Sequence, residues 1–364
     1  MIWICEAPSH YNDFLFNAIF RDSKGAINLE LNYMMSKVDS HPWKSQPNRH
    51  YPYRHYKKVL GIDWNLVFKT LRANRNTLFI IGGWTDPTAM LTMIILSIRR
   101  RLFVNWTDSP SPTGVSGGIY KQIRSLWIPF VFSKSTYILG TGKMALSTLK
   151  EMGCPEPKLI NLPYFTDTQR FSPNENQMAN EKLVFLSSGR LINSLKGFDL
   201  VIKALGDIHK ENSGLLFEYR IAGTGPDLPF LEQLVGDLGL EKFVVFEGWL
   251  EPDELVQFYK QGDVFVHPAH LEPYGVAVIE AMASGLAIIG SNVTGAIVDR
   301  VEDGVNGYIC EPNNVKKLRD NMLDLLMDKE KTQLFKLEAR KAALLWPLSK
   351  GVEKINSIVS LCVE

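Results

Sequence analysis

Two carboxylates eight positions apart have the spacing in this 364-residue sequence that most clearly indicates chemistry. Glu272 lies in a predicted loop, residues 267–275, that connects a short apolar strand to a helix beginning at Val276. Glu280 falls about one and a half turns into that helix, inside an apolar run where an unpaired charge is costly. A helix N-terminus binds phosphate, and carboxylates accept hydrogen bonds from sugar hydroxyls. The arrangement predicts a nucleotide-sugar site, with a purely structural pairing of Glu280 to an internal Arg or Lys as the alternative.

The same stretch resembles the E-x7-E signature of the retaining family 4 glycosyltransferases of the GT-B fold. The resemblance is carried by Glu272-Pro273-Tyr274-Gly275 and by Glu280-Ala281-Met282-Ala283-Ser284-Gly285. It implies that Glu272 contacts the transferred sugar and that Glu280 holds the ribose hydroxyls of the donor. It also implies that the donor phosphate binds backbone amides at Gly275 and Val276, just after Pro273 and Tyr274.

A second motif of the same family lies earlier in the chain, at Ser188-Gly189-Arg190-Leu191 and Lys196-Gly197. It is similar to the family's G-R-L-x-x-x-K-G stretch, with one extra residue before the lysine. The resemblance implies that Arg190 and Lys196 neutralise the donor diphosphate, and fixed cations would stabilise the charge that develops on the leaving group. Two later turns join the predicted donor site: Gly223 and Gly225 permit close backbone approach to a ligand, and the resemblance places Leu250 near the base.

The first loop of the chain, Glu6 to Asn12, follows a predicted strand at residues 1–5 and precedes a helix predicted at 13–20. Such a loop lies at the carboxyl edge of a parallel sheet, where ligands bind. The family usually has glycines here that touch the diphosphate, whereas this loop has none. Ser9 and His10 are therefore predicted to donate hydrogen bonds in their place, with capping or surface exposure as the alternative for His10.

The tripeptide Trp-Thr-Asp occurs twice, at 84–86 and 106–108, each time after an apolar strand. With the helix predicted between them, these segments form a βαβ unit whose two loops share one sheet edge. We expect Trp84 and Trp106 to line an acceptor site as surfaces on which sugars stack. Asp108 stands where the family typically has a histidine close to the sugar, and it is the candidate replacement, with helix capping as the alternative.

The charges are unevenly distributed along the chain. Residues 1–165 carry 20 Lys and Arg against 10 Asp and Glu, whereas the remainder carries 20 against 29. A basic half predicts an anionic partner, either a membrane surface or a phosphate-bearing acceptor. The stretch 41–58, which alternates aromatic and basic residues and contains three prolines, is predicted to be a long surface loop that contacts the acceptor or the membrane. No folded aromatic platform motif is recognisable, so a nucleic-acid partner is not expected.

Other classes of site are not expected. The four cysteines are scattered without metal-ligand spacing and are predicted to be small buried residues in a reducing compartment. No D-x-D pair occurs, so neither a metal nor another cofactor is expected, the nucleotide-sugar being a substrate. Glu6 and Pro8 interrupt any apolar leader, and the longest apolar runs are too short to cross a bilayer. We therefore expect a cytoplasmic protein, with contact at the inner face of the membrane left open.

The predicted fold is α/β of the GT-B type, two doubly wound Rossmann-like domains facing a cleft. The predicted boundaries are residues 1–165 for an acceptor-binding domain, 166–182 for a linker, 183–345 for a nucleotide-sugar-binding domain, and 346–364 for a helix that packs back on the first domain. The resemblance implies retaining transfer of a hexose from a UDP- or GDP-sugar to a hydroxyl of a glycan or lipid-linked acceptor, in cell-surface polysaccharide or glycolipid biosynthesis. The alternatives are a non-catalytic sugar-nucleotide-binding protein and a sugar-nucleotide epimerase or a phosphorylase on the same architecture.

Overall fold

The structure is a computed structural model that describes residues 1–23, 27–35, 49–55, 57–110, 118–174, 182–212 and 214–363, with only the backbone described at 118–122 and 363. The chain divides into two compact units. The first unit comprises Met1–Phe165 and Leu348–Glu364, and the second comprises Thr166–Pro347.

The first unit is built on a parallel sheet of seven strands. In spatial order they are β3-β2-β1-β4-β5-β6-β7. The order reverses between β1 and β4, so the loops that follow these two strands diverge to opposite faces and leave a crevice at the carboxyl edge. The strands are β1 (Ile2–Cys5), β2 (Glu30–Tyr33), β3 (Tyr53–His55), β4 (Phe79–Gly82), β5 (Phe103–Thr107), β6 (Ile138–Gly140) and β7 (Leu159–Asn161).

Five helices connect these strands, and their apolar sides pack on the sheet. They are α1 (His10–Asp22), α2 (Trp64–Arg72), α3 (Pro87–Ile98), α4 (Gly118–Lys134) and α5 (Gly142–Glu151). The predicted βαβ unit is present, because β4 pairs in parallel with β5 and α3 lies between them in the chain. The first helix begins three residues earlier than predicted, since Ser9 in extended conformation is its N-cap. His10 is therefore the first helical residue and not part of the loop.

The predicted loop 41–58 is only partly described, and its described part is more ordered than expected. Residues 41–48 and 56 lie outside the described residues, while residues 53–55 form the edge strand β3. Arg49 Nε donates to both carboxylate oxygens of the buried Asp13 on α1, at 3.1 Å each, and the hydroxyl of Tyr51 also donates to Asp13. The chain is thus anchored to α1 just before β3, because a buried carboxylate needs such partners.

The second unit contains a parallel sheet of six strands in the order β10-β9-β8-β11-β12-β13, which reverses between β8 and β11. The strands are β8 (Leu183–Ser188), β9 (Phe217–Ala222), β10 (Val244–Gly248), β11 (Val264–His267), β12 (Ala287–Ser291) and β13 (Gly307–Cys310). The helices are α6 (Asn193–Lys196), α7 (Phe198–Glu211), α8 (Leu228–Asp237), α9 (Pro252–Tyr259), α10 (Val276–Ala283), α11 (Gly295–Arg300), α12 (Val315–Met327) and α13 (Lys329–Leu344).

The last helix returns to the first unit, as the predicted fold requires. Helix α14 (Leu348–Val363) begins directly after Pro347, which separates it from α13. It packs against α1, and Gly351 lies so close to Leu15 and Phe165 that a Cβ there would stand 2.6 Å and 3.0 Å from their side chains. The sequence break at Pro347 is thus also the point where the chain leaves the second unit.

Two sequence predictions about single features can be checked directly. All four cysteines are buried and unoxidised, as predicted. In the ranges that the structure describes, no helix has both the length and the apolar character needed to cross a bilayer.

Candidate functional site

The two main motifs predicted to bind the donor follow the two strands of the second unit between which the order of its sheet reverses. Arg190 and Lys196 come after β8, and residues 268–275 come after β11. Since β8 and β11 pair in parallel, both loops leave the same edge of the sheet. The carboxyl edge at such a reversal is where ligands bind in open α/β sheets. The two sequence motifs, some 80 residues apart, are therefore brought into one site.

Glu272 and Lys196 form an ion pair that joins the two motifs. Their side chains keep 13% and 21% of their surface exposed, so the pair is largely shielded and still open on one side. Helix α6 ends at Gly197, which has φ of 68°, a conformation that glycine adopts without strain. A Cβ at Gly197 would stand 2.6 Å from the carbonyl oxygen of Pro268, so a glycine is needed for the loop of Lys196 to approach the loop of Glu272.

His267, the last residue of β11, is a third member of this cluster. Its Nε2 atom lies 3.4 Å from Glu272 Oε2, a long contact, and its ring is 4% exposed and stacked on Phe265. Burial lowers the pKa of His267, which keeps the ring neutral. Burial alone would raise the pKa of Glu272, but the adjacent His267 and the Lys196 ammonium outweigh it and lower that pKa to about 2. Glu272 is therefore an ionised hydrogen-bond acceptor at every physiological pH.

Arg190 differs from Lys196 in being exposed. Across the described ranges it makes no ion pair, so its guanidinium is available to an anion arriving at the edge of the sheet. A guanidinium presents donors in a planar fork that suits phosphate oxygens.

Helix α10 begins at this edge, and no side chain caps its N-terminus. Gly275 is the N-cap and has φ of 92°, and Val276 is the first helical residue. A Cβ at Gly275 would come within 2.8 Å of Thr294 Cγ2, so a glycine is needed for this turn. The first amides of α10 and its partial positive charge thus face the edge that holds Arg190, as a phosphate site requires.

The two residues before Gly275 have different environments. Pro273 is exposed beside Glu272. Tyr274 is only 2% exposed, and its hydroxyl accepts a hydrogen bond from Arg300 Nη2 at 3.1 Å. Its ring is therefore part of the packing under α10, and its predicted contact with the donor has no structural support.

Glu280 is buried, with 9% of its surface exposed, and it is held by a chain of hydroxyls. The hydroxyl of Tyr259, at the end of α9, donates to Glu280 Oε2 at 3.3 Å and lies 2.8 Å from Ser188 Oγ. Ser188 is the last residue of β8, directly before the Gly189-Arg190 turn. Burial raises the pKa of Glu280 to about 8, although the Tyr259 hydroxyl and the charge of Arg170 act in the opposite direction. No ion pair to Glu280 is found in the part of the chain that the structure describes, so the alternative of a structural partner is not observed.

The glycines predicted to face a ligand serve a contact between loops. A Cβ at Gly223 would overlap the carbonyl oxygen of Gly189, and a Cβ at Gly225 would overlap the backbone of Leu191. Leu191 N donates to Thr224 O at 2.9 Å, which ties the loop after β8 to the loop after β9. These glycines therefore allow the close contact that positions the Arg190 turn, and their predicted approach to a ligand stays a prediction. Leu250 is half-buried in the turn after β10.

The first unit has its own cavity, of about 290 Å³, at the carboxyl edge of its sheet. It lies where the strand order reverses, and the loops after β1, β4 and β5 line it together with Tyr164. Ser9 and Trp106 both line it, and Ser9 Oγ and Trp106 Nε1 are buried polar atoms without a hydrogen-bond partner in the described residues. Buried polar atoms are normally hydrogen-bonded, so both atoms are suited to a polar ligand.

The other residues predicted for this unit divide between the cavity and the core. Asp108 lines the cavity and accepts a hydrogen bond from Thr141 Oγ1 at 2.9 Å. His10 is not among the lining residues. Trp84 belongs to the hydrophobic core, packed edge-on against Phe132, so its predicted role as a stacking surface has no structural support. Asp86 caps α3 through Thr88 N at 2.8 Å, which was the alternative considered for these aspartates.

Three residues of the site were missed by sequence reasoning: His267, Tyr259 and Ser188. Tyr259 lies 21 positions before Glu280 on a different helix, and nothing in the local pattern links them. The position of His267 could have been predicted from the sequence. It is the last residue of a buried strand, five residues before Glu272, and the end of that strand lies at the same sheet edge.

Comparisons with known proteins show which proteins this chain resembles. The family model of the glycosyl transferases group 1 matches residues 168–342. The uncharacterized glycosyltransferase MJ1607 of Methanocaldococcus jannaschii is 36% identical over 135 residues, which cover 37% of this chain and 33% of that protein. The GDP-mannose-dependent alpha-(1-6)-phosphatidylinositol monomannoside mannosyltransferase of Mycolicibacterium smegmatis is 28% identical over 205 residues, 52% of this chain and 53% of that protein. The chain thus spans between a third and about half of the length of these relatives.

Among solved structures, Anabaena Alr3699/HepE in complex with UDP superposes with a TM-score of 0.79 at 18% identity, covering 99% of both chains. Such solved neighbours are GT-B glycosyltransferases, which confirms the predicted fold class of two Rossmann-like domains and a helical C-terminus. The family and the curated relatives are glycosyltransferases, which transfer sugars. Residues 168–342 of this chain therefore resemble the glycosyl transferases group 1 family.

Proposed function

We propose that this protein is a retaining glycosyltransferase that transfers a hexose from a UDP- or GDP-sugar to a hydroxyl of a glycan or lipid-linked acceptor. The observation that supports it most strongly is the edge of the second sheet where β8 and β11 end. There an exposed guanidinium, a Lys–Glu pair, an uncapped helix N-terminus and a buried carboxyl occur together. A nucleoside diphosphate-sugar offers a diphosphate to the cations and the helix N-terminus, and sugar and ribose hydroxyls to the two carboxyl groups.

The second unit binds the donor in this proposal. The diphosphate contacts Arg190, Lys196 and the first amides of α10, and the ribose diol contacts Glu280. Glu272 accepts a hydrogen bond from a hydroxyl of the transferred sugar, which its low pKa permits at neutral pH. The relative that carries GDP-mannose dependence in its name and the solved neighbour with bound UDP support a nucleotide-linked donor, without deciding between the two bases.

The first unit binds the acceptor in this proposal. Its cavity offers an exposed carboxylate at Asp108 and two buried atoms that lack partners in the described residues, Ser9 Oγ and Trp106 Nε1. A hydroxyl-rich acceptor can bond to the two unpartnered atoms and also donate to the Asp108 carboxylate. Ser9 lines this cavity, and its predicted contact with the donor diphosphate stays a prediction.

The chemistry that these residues can perform is positioning and charge stabilisation. As the bond from the sugar to the diphosphate breaks, negative charge grows on the departing phosphate, and the cations with the α10 amides stabilise it without reorganising. The acceptor hydroxyl approaches on the same face and passes its proton to that phosphate, which retains the configuration at the anomeric carbon. Neither a metal nor a protein nucleophile is needed for this step, so the reaction is proposed to be metal-independent.

Two substitutions test the donor assignment. Removing the exposed Arg190 as Arg190→Ala is expected to lower the rate of transfer by about 100-fold or more, as the loss of one fixed donor to a developing charge usually does. Glu272→Gln is expected to lower transfer similarly while leaving UDP affinity equal or higher, because it releases Lys196 to the diphosphate. Lys316 is an exposed residue of α12, and Lys316→Ala is the matched control. It is expected to leave both the rate of transfer and the UDP affinity unchanged.

The measurements are transfer of radiolabelled sugar, UDP and GDP binding by calorimetry, and the anomeric configuration of the product by NMR. Full activity in Arg190→Ala or Glu272→Gln would contradict the proposal, as would an inverted product. Loss of activity in EDTA with recovery in magnesium would contradict metal independence. Turnover of the donor without acceptor to an epimer would identify the epimerase alternative, and donor binding without any turnover would identify a binding protein.

A further inference from the structure

Helices α2 and α3 of the first unit lie side by side and are tied together at both ends. At their starts, Asp63 N donates to Thr88 Oγ1 at 3.1 Å, directly before α2 and in the first turn of α3. At their ends, Arg101 Nη2 donates to Ala73 O at 2.5 Å. The two helices therefore run in the same direction at the same height, and their sides away from the sheet form one outer face.

That outer face exposes large apolar side chains. Trp64 and Phe68 on α2 are 40% and 51% exposed, and Ile94 and Ile98 on α3 are 37% and 76% exposed. Each pair has a spacing of four residues, so its members lie on one side of their helix. The opposite sides are buried, through Leu66, Val67 and Thr70 on α2 and through Ala89, Met93 and Leu96 among others on α3. Leu60, in the turn before α2, is 94% exposed.

The same region is strongly basic. Residues 64–107 contain six Lys and Arg and a single acid, Asp86. The carboxylate of Asp86 is already bound by Lys58 and by the amide of Thr88, which it caps. The exposed guanidinium groups of Arg72, Arg75, Arg99 and Arg100 follow the two helix ends that the Arg101–Ala73 bond joins. Cations are favoured at helix C-termini in general, but that preference does not account for the exposed aromatic and aliphatic side chains beside them.

We propose that this surface, called here the α2–α3 face, docks on the surface of an anionic lipid bilayer. The face consists of Leu60, Trp64, Phe68, Ile94 and Ile98 together with Arg72, Arg75, Arg99 and Arg100. An anionic bilayer surface combines the two properties that the face demands, phosphate groups for the guanidiniums and an apolar layer directly beneath them. Tryptophan and phenylalanine rings are suited to that boundary, since they carry a large apolar surface.

The proposal goes beyond the donor and acceptor sites and does not depend on them. It also relocates the membrane contact that the sequence suggested for residues 41–58 to two helices whose side chains are described. The helices lie parallel to the surface in this arrangement and do not enter the bilayer core, in agreement with the lack of a spanning helix in the described ranges. The charge pattern, with no exposed acid on either helix, favours lipid over a protein partner, whose surface would mix both signs.

Sedimentation with vesicles tests the proposal on the full chain. The protein is expected to bind vesicles of phosphatidylcholine with phosphatidylglycerol and not vesicles of phosphatidylcholine alone, with binding that weakens as salt is added. The variant Arg75→Gln/Arg99→Gln is expected to reduce the vesicle partition coefficient about 25-fold, since each cation near an anionic surface contributes about fivefold. The control Lys316→Gln/Lys317→Gln removes two exposed cations from α12 of the second unit and is expected to change nothing.

The apolar part of the face has its own pair of variants. Phe68→Ser/Ile98→Ser is expected to reduce binding at least tenfold, whereas Leu334→Ser/Leu337→Ser, at positions of α13 that are 54% and 52% exposed, is expected to leave it unchanged. Because all four positions are exposed, thermal unfolding of both variants should match that of the unchanged protein.

Several outcomes would overturn the proposal. One is failure of the protein to bind phosphatidylglycerol vesicles. Another is a loss of vesicle binding in the two control variants that equals the loss in the variants of the α2–α3 face. A third is self-association of the protein in the absence of lipid, which analytical centrifugation measures. If the protein is a dimer that Phe68→Ser/Ile98→Ser converts to a monomer, the face is an interface between copies of this chain and not a membrane surface.

Discussion

The buried carboxyl of Glu280 gives the sharpest test of the site, because its effect on stability has a sign opposite to that of an ordinary ion-paired glutamate. Burial raises its pKa from an ordinary 4.5 to about 8. Between these two pH values the folded protein keeps a proton on Glu280 that the unfolded chain releases. The folded state therefore binds more protons, and the free energy of unfolding falls as the pH rises through this window.

The magnitude follows from the two pKa values. Each pH unit between them costs the folded state about 1.4 kcal/mol. Linkage then places the penalty at about 1 kcal/mol at pH 5 and about 3 kcal/mol at pH 7, with a plateau above pH 8 where both states are ionised. Below pH 4.5 both states are protonated and the penalty vanishes.

The perturbation is Glu280→Gln, which keeps the shape and an acceptor oxygen for Tyr259 but cannot ionise. We expect the second unit of this variant to be more stable than the unchanged protein by about 3 kcal/mol at pH 7 and by about 1 kcal/mol at pH 5. The exposed Glu241→Gln, on the surface of the same unit, is the control and should shift stability by less than about 0.5 kcal/mol at either pH. Urea unfolding at pH 5, 6, 7 and 8 measures the difference.

The gain in stability should come with a loss of function. An ionised carboxylate accepts hydrogen bonds from both ribose hydroxyls, whereas an amide oxygen and its NH2 group do not offer the same pair of acceptors. UDP or GDP binding should therefore weaken about tenfold or more in Glu280→Gln. In the unchanged protein, binding near pH 7 should release protons, which calorimetry in buffers of different ionisation enthalpy detects. A variant that is less stable at all pH values, or a difference that does not grow with pH, would refute the reasoning, because Glu280 would then be an ionised and internally paired group.

Two further substitutions probe the support of the site. Tyr259→Phe removes the hydroxyl between Ser188 and Glu280. We expect this variant to raise the pKa of Glu280 further, to lower the free energy of unfolding by about 1 kcal/mol and to weaken nucleotide binding. Unchanged nucleotide binding would contradict the positioning role of Tyr259. Gly223→Ala places a methyl group on the carbonyl of Gly189; we expect a loss of at least about 2 kcal/mol in urea unfolding. Gly236→Ala is its control, because a Cβ there meets nothing within 4 Å inside α8, so an equal loss in both would refute the loop-contact explanation.

The sequence was sufficient for those parts of the fold that depend on local pattern. The apolar run 264–266, the loop after it and the helix from Val276 appear as predicted, because the apolar segments and the glycine between them leave clear local signals. The break at Pro347 was also predictable from local sequence, because proline cannot continue a helix.

Features that depend on tertiary contact were not predictable. The β3 strand at 53–55 was predicted as loop, since the three prolines of the stretch 41–58 suggest irregular structure, and only pairing with β2 makes it a strand. Gly223 and Gly225 were correctly singled out as positions of close approach, but the approaching atoms belong to the loop 189–191. A sequence can indicate that a position requires glycine, but it does not show which neighbouring atoms approach that position. Trp84 and Trp106 follow the same strand pattern, yet one lies in the core and the other at the cavity.

The two glutamates of the E-x7-E motif are best understood through their opposite electrostatic environments. Lys196 and the neutral His267 hold the pKa of Glu272 at about 2, whereas burial against Tyr259 raises that of Glu280 to about 8. Environments that separate two pKa values in this way assign different roles to chemically identical groups. Glu272 accepts hydrogen bonds only, as the proposed contact to a hydroxyl of the transferred sugar requires. It also neutralises Lys196, so a diphosphate that reaches this edge competes with Glu272 for the ammonium. Transfer of Lys196 from carboxylate to phosphate would leave Glu272 free to bind the sugar, which couples recognition of the two halves of the donor.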